Sequence, residues 1–272
     1  MKLTKKLFSA PFIAFLLCGT LIPACVIAYY GLTDRSGAFT WANLIAMANG
    51  QHAKALGLSL LLAFISTVIC LILAFPLGLI LKETRLGRKG FMIFVFILPM
   101  WMNFLLRTMA WQVLLEKNGI INGLLGAVGL PHLAIINTSA AVVLGMVYDY
   151  LPFMVLPIYN AIIRIDKNLI EAAYDLGAEK TTVLTRIIIP LSIPGIVSGV
   201  TMVFVPSLTT FAISNMLGGG KVNLIGNIIE QEFTASSNWN LGSGLSLVMM
   251  IFIVISMALI EKFDRNGEGN MI

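Results

Sequence analysis

The chain has 272 residues, 58% hydrophobic and 11% charged, with a mean hydropathy of +0.92. Soluble domains carry roughly 25% charged residues, so a chain this poor in charge cannot cover its apolar surface in water. A soluble enzyme and a disordered protein are both excluded. The formal net charge of +5 comes from 18 Lys+Arg against 13 Asp+Glu, and in a membrane chain a basic surplus reports orientation before it reports an acidic partner.

A membrane helix needs about 20 mostly apolar residues. Six stretches meet that length, at about 8–30, 56–81, 91–115, 138–163, 187–214 and 243–261. The expected fold class is therefore an all-α integral membrane protein with six transmembrane helices. The first stretch follows a basic start (Lys2, Lys5, Lys6). It is much longer than the roughly 7–15 residues of a signal-peptide core, so it reads as an uncleaved span. Cys18, Cys25 and Cys70 all fall in apolar stretches and read as small buried hydrophobes. With no CxxC and only His52 and His132, no zinc site is expected.

The charges alternate loop by loop. One set of ends carries Lys2, Lys5, Lys6, Lys82, Arg85, Arg88, Lys89, Arg164, Lys167, Lys180, Arg186, Lys262 and Arg265. The other carries only Arg35, Lys54, Lys117 and Lys221, and Arg107 lies inside the third stretch. The basic side is the cytoplasmic one, which puts both termini in the cytoplasm. The glycine-punctuated segment Asn118–Asn137 is expected to lie flat as an interfacial helix or to re-enter the membrane. The fifth stretch holds Pro190, Pro194, Pro206, Gly195 and Gly199. These residues leave open a bent helix lining a pathway and ordinary close helix packing.

No GxxxxGK[ST] occurs, so the chain has no phosphate-cradling loop of its own. No cofactor is expected on it; if the protein drives transport with ATP, another subunit must hydrolyse it. Nor is there a nucleophile–histidine arrangement or a metal cluster, and nucleic acid is not an expected partner. The informative connection lies between the fourth and fifth stretches, about 164–186. Asn168 is placed to cap a helix with Glu171 three residues on. Leu169, Ala173 and Leu176 share a face, and Gly177 can end the helix left-handed. A second helix is expected near Thr181, running into the fifth stretch. The result is a rigid cytoplasmic elbow.

Glu171-Ala172-Ala173, three residues to Gly177, then nine to Ile187 and on to Pro190 resembles the EAA signature of ABC importer membrane subunits. Ile189 stands where that pattern has Leu. Gly145 through Tyr148-Asp149-Tyr150 to Tyr159 resembles the fourth span of spermidine/putrescine permeases of the PotB type. Leu217–Asn227, and Leu98-Pro99-Met100-Trp101 with Arg107, resemble the same group. The likeness covers about residues 55–260. It implies a single permease domain over 1–272, with the type I importer (MetI-like) fold and a core at about 55–262, in a bacterial inner membrane. It implies that Glu171, Ala172, Ala173, Leu176, Gly177 and Pro190 couple to an ATPase. The implied partners are a second, PotC-like permease subunit, two PotA-like ATPases, a PotD-like external binding protein and membrane lipid. The chain itself would be a transport subunit and no enzyme.

A polycation needs carboxylates and aromatic faces. Asp149 is the acid deep in a span, flanked by Tyr148 and Tyr150, and must face protein or water. Its residues leave open a cation contact in the pathway and a structural partner for Arg107. Trp101 and Trp111 read either as stacking faces or as interfacial anchors. Glu230 and Glu232 read as a binding-protein contact or a solvated face, and Lys221 with its preceding glycines as a gate or a turn. Two other functions stay open. One is an ABC permease for ferric iron, sulfate or an amino acid. The other is an ion-coupled carrier working alone, which would need repeated halves and several buried ionisable groups.

Overall fold

A computed structural model describes residues 11, 15–84, 94–95 and 97–269. The basic start, the loop carrying Arg85, Arg88 and Lys89, and the beginnings of the first and third expected spans lie outside the described residues. Contacts divide the chain into two units, one of residues up to Ala55 with Ile228–Val254, the other of Leu56–Asn227 with residues from Ile255 on.

In the first unit, helix α1 (Leu17–Gly31) opens with a π turn, Leu17–Leu21. Pro23 lies just after that turn inside the continuous helix, where its missing N–H interrupts the regular ladder. Gly31 ends it against the start of the last helix. A Cβ there would lie 2.6 Å from Leu247 and 3.2 Å from the Gly244 amide. The chain then reverses through Thr33–Phe39, an isolated antiparallel bridge. Asn43 Nδ2 donates to the carbonyls of Gly31 and Thr33 at 3.2 and 2.9 Å.

Helix α2 (Gly50–Glu83) runs 34 residues and tolerates Pro76 in its interior. In the second unit, α3 (Phe104–Leu115) starts at Asn103, whose side chain accepts the Leu105 amide at 2.8 Å and so satisfies one of the orphan donors of a helix start. A short α4 (Ile120–Ala127) follows, then α5 (Ser139–Ile163), capped by Thr138. Next come α6 (Lys167–Asp175), α7 (Lys180–Thr209), α8 (Ala212–Gly218), α9 (Ile225–Thr234) and α10 (Trp239–Gly269).

Helix α5 packs mainly on α7. Gly195 and Gly199 of α7 make this possible: a Cβ on Gly195 would sit 2.6 Å from the Pro157 carbonyl, and one on Gly199 2.7 Å from the Met154 sulfur. These two glycines form a G-x-x-x-G seam, which lets membrane helices approach backbone to backbone. Met154, Ile158, Ile162 and Val203 fill one buried cluster with Cys70 and Leu81 of α2; Val142, Met146, Ile213 and Leu217 fill a second.

Four described helices are long and apolar enough to cross a membrane: α2, α5, α7 and the Trp239–Ile260 part of α10. The third expected span differs. A 3₁₀ turn at Leu98–Trp101 gives way to an extended Met102, and α3 then has only 12 residues. Pro99 and the Asn103 cap together impose that break. The fifth expected span starts earlier, at Lys180, and ends where Thr210 turns extended. Asn227 holds that break, donating to the Phe211 carbonyl at 3.0 Å and accepting the Leu224 amide at 2.9 Å. Between Asn118 and Asn137 the chain forms α4 and an irregular return. Asn122 pins them, exchanging bonds with both backbone groups of Leu133 at 3.1 and 2.7 Å. Cys70 is buried, but Cys18 and Cys25 are exposed, because most of the described α1 surface faces outward.

Candidate functional site

Arg107 on α3 and Asp149 on α5 meet inside the second unit. Arg107 Nη2 lies 3.2 Å from Asp149 Oδ1, and the two side chains are only 7% and 2% exposed. Thr108, beside Arg107, donates its hydroxyl to Asp149 Oδ2 at 3.0 Å. The guanidinium carbon stands 5.9 Å from the Tyr148 ring centroid, and Tyr148 packs edge-on to Trp111 at 5.4 Å. Among the described residues, Arg107 Nε and Nη1 find no hydrogen-bond partner. Asp149 Oδ1 likewise accepts no hydrogen bond among the described residues, so the pair meets through one charge contact, without the two-pronged hydrogen bonding that makes Arg–carboxylate pairs strong. Tyr148 and Trp111 also wall an apolar groove of about 620 Å³, completed by Leu62, Ile65, Val143 and Leu151.

The other sequence-derived pathway residues lie apart from this pair. Tyr150 points to α7, where its hydroxyl donates to the Pro206 carbonyl at 3.4 Å. Trp101 is 75% exposed and packs edge-on to Phe94 at 5.8 Å. Thr108 was not among the sequence candidates; its signal was a hydroxyl directly after the one arginine inside a span.

The elbow is built locally. Asp166, not Asn168, caps α6, accepting the Asn168 amide at 2.9 Å. The expected capping box therefore does not form, because the helix begins one residue before Asn168. Glu171 instead faces Lys167 at 3.5 Å on an exposed surface. At the other end Gly177 takes φ +84°, as expected of a left-handed stop. Its amide donates to the Tyr174 carbonyl at 2.9 Å, and the Ala178 amide to the Ala173 carbonyl at 3.0 Å. These two bonds are a Schellman closure. Ala172 is exposed, Ala173 half-buried, and Leu176 is 89% exposed. The chain then passes through Lys180–Val183 and a π turn into the long helix that carries Pro190.

Lys221 is exposed beyond a turn made by Gly219 and Gly220, at φ +54° and +74°. A side chain at Gly219 would overlap Asn137. Glu230 accepts the Thr234 hydroxyl through both its carbonyl and its carboxylate. Among the described residues no group of three His, Cys, Asp or Glu could hold a metal ion.

Residues 74–266 match the binding-protein-dependent transport system inner membrane component. The chain belongs to that family. It is thus a multi-pass permease component of an ABC transport system and no enzyme; in this family ATP hydrolysis is the work of a separate subunit. Among its relatives, the spermidine/putrescine transport system permease protein PotB of Haemophilus influenzae is 34% identical over 97% of this chain and 96% of its own. The protein of the same name from Escherichia coli is 35% identical over 84% of this chain and 83% of its own. A solved bacterial ABC transporter that imports the acidic polysaccharide alginate has the same fold, with a TM-score of 0.82 at 16% identity over 97% of this chain and 96% of that one. A related structure shows that transporter in complex with a periplasmic protein bound to an alginate pentasaccharide, at TM-score 0.81 and 14% identity, over 97% and 94% of the two chains.

Proposed function

We propose that this chain is the permease subunit of an ATP-driven polyamine importer in a bacterial inner membrane. It carries spermidine or putrescine delivered by an external, PotD-like binding protein. It pairs with a second, PotC-like permease subunit and is driven by two PotA-like ATPases that hold the ATP and Mg²⁺. The observation that carries the substrate is the near end-to-end likeness to the PotB relatives at 34–35% identity.

The elbow is the contact with the motor. Its backbone is fixed by its own caps while Leu176 stays almost fully exposed, the condition of a rigid lever awaiting a partner's cleft. Glu171, Ala172, Ala173 and Gly177 form it, and Pro190 begins the helix that receives its motion. On the pathway, Tyr148 and Trp101 offer ring faces to an ammonium group, worth about 0.5–2 kcal/mol each. Asp149 sits behind Tyr148, held by Arg107 through one contact. An ammonium of the substrate competes with Arg107 for that carboxylate, and Tyr150 keeps α5 in register with α7.

The test is the whole complex reconstituted in liposomes with radiolabelled spermidine. ATPase activity and uptake should rise together when spermidine-loaded binding protein is added. Stimulation by sulfate or ferric iron but not by spermidine would overturn the substrate. Uptake by this chain with no ATPase present would overturn the coupling.

A further inference from the structure

The first unit presents a feature that the transport pathway does not use. Tyr30, Arg35, Ser236, Ser237, Trp239 and Asn240 line a pocket of about 560 Å³, within the roughly 300–1,000 Å³ of ligand-sized sites. It brings together the end of α1 with the turn after it and the start of α10 with the turn before it, two stretches that the charge count puts on the external side.

The pocket is pre-organised. Asn240 Nδ2 donates to the carbonyls of Tyr30, Thr33 and Asp34 at 3.2, 2.7 and 3.2 Å, tying the two segments together. Asp34 accepts the Ser36 amide, the Ser36 hydroxyl and the Ala38 amide at 2.8, 2.6 and 2.9 Å. The Ser36 hydroxyl, above all, holds that carboxyl below its usual range. Asp34 is thereby committed to its own turn. Arg35 next to it is exposed and makes no ion pair among the described residues. Ser237 takes φ +48°, a left-handed backbone that a non-glycine residue rarely adopts and that tends to persist where a site over-determines it. Tyr30 and Trp239 stay 38% and 53% exposed while packing on each other at 6.2 Å.

Rigid Trp and Tyr faces around an Arg are the composition of an interface hot spot. The sign of the charge selects the occupant. A polyamine would be repelled by Arg35, whereas a carboxylate would gain a bidentate partner. We propose that this pocket docks a carboxylate side chain presented by the external substrate-binding protein. It thus fixes where that protein sits on the permease. The inference rests on the importer reading above, and a structural neighbour of this chain is itself found in complex with a periplasmic protein.

The test measures the concentration of spermidine-loaded binding protein that half-saturates ATPase stimulation of the full complex in nanodiscs. Arg35→Glu should raise it about tenfold and Arg35→Gln by a smaller factor, since like charges repel, with Arg35→Lys between Arg35→Gln and wild type because it keeps the charge and loses the two-pronged fork. Basal ATPase without binding protein should stay unchanged in all three. Raising salt from ~0.1 to ~1 M shortens the Debye length from about 10 to about 3 Å and should shrink the gap between wild type and Arg35→Gln. A wild-type complex that responds to the binding protein, with Arg35→Glu responding equally, overturns this inference alone. A fall in basal ATPase matching the fall in stimulation also overturns it, by assigning Arg35 to structure. A wild-type complex that ignores the loaded binding protein overturns the importer reading and this one with it.

Discussion

The Arg107–Asp149 pair and the elbow are held by opposite means. The pair is buried among α3 and α5 and is tied by residues 41 and 42 positions apart in sequence. The elbow is exposed, and each bond that shapes it spans five residues or fewer. Burial makes the first expensive to disturb, because a charge left alone in an apolar bundle has no water to turn to. Local capping makes the second cheap to disturb thermodynamically, so damage there should appear as lost coupling with little lost fold.

The largest expected effect follows from the buried pair. Asp149→Leu strands the Arg107 guanidinium and should cost about 3–5 kcal/mol, whereas Arg107→Met with Asp149→Leu removes both charges and should recover most of it. Thermal midpoints of the detergent-solubilised complex read the difference. A double variant no more stable than the single would break the contrast, since the cost would then come from packing. Smaller effects belong to the elbow. At Gly177 no atom lies within 4 Å of an added Cβ, so Gly177→Val carries only backbone strain, about 1–2 kcal/mol. It should leave the complex assembled yet abolish the ATPase response to loaded binding protein. Glu171→Ala gives up an exposed pair worth about 0.3–0.5 kcal/mol. It should leave the thermal midpoint unchanged and lower only the coupled uptake. Normal uptake in both elbow variants would remove the elbow from the motor contact.

The same contrast explains what was legible in advance. Gly177 was readable because a left-handed stop is a property of one residue type. The start of α6 lies two residues before the one Asn168 suggests, because Asp166 is an equally good cap. The break in the third span is invisible to hydropathy, which averages over Pro99 and Asn103. Gly195 and Gly199 were visible as residues, but only the approach of α5 to within 2.6 Å of a Cβ position assigns them to packing. The Arg35 pocket was not foreseen at all, since its two segments are some 200 residues apart.

The sequence by itself determined the all-helical membrane character, the family and the elbow, because the first depends on composition, the second on motifs read along the chain, and the third on residues within a few helical turns. The tertiary structure alone decided that Arg107 holds Asp149, that Tyr150 turns to Pro206 while Tyr148 walls a groove, and that Asn240 locks a pocket around Arg35. Those outcomes depend on which helix faces meet. In a chain so uniformly apolar, hydrophobicity does not choose between faces; a few buried hydrogen bonds and two close-approach glycines do.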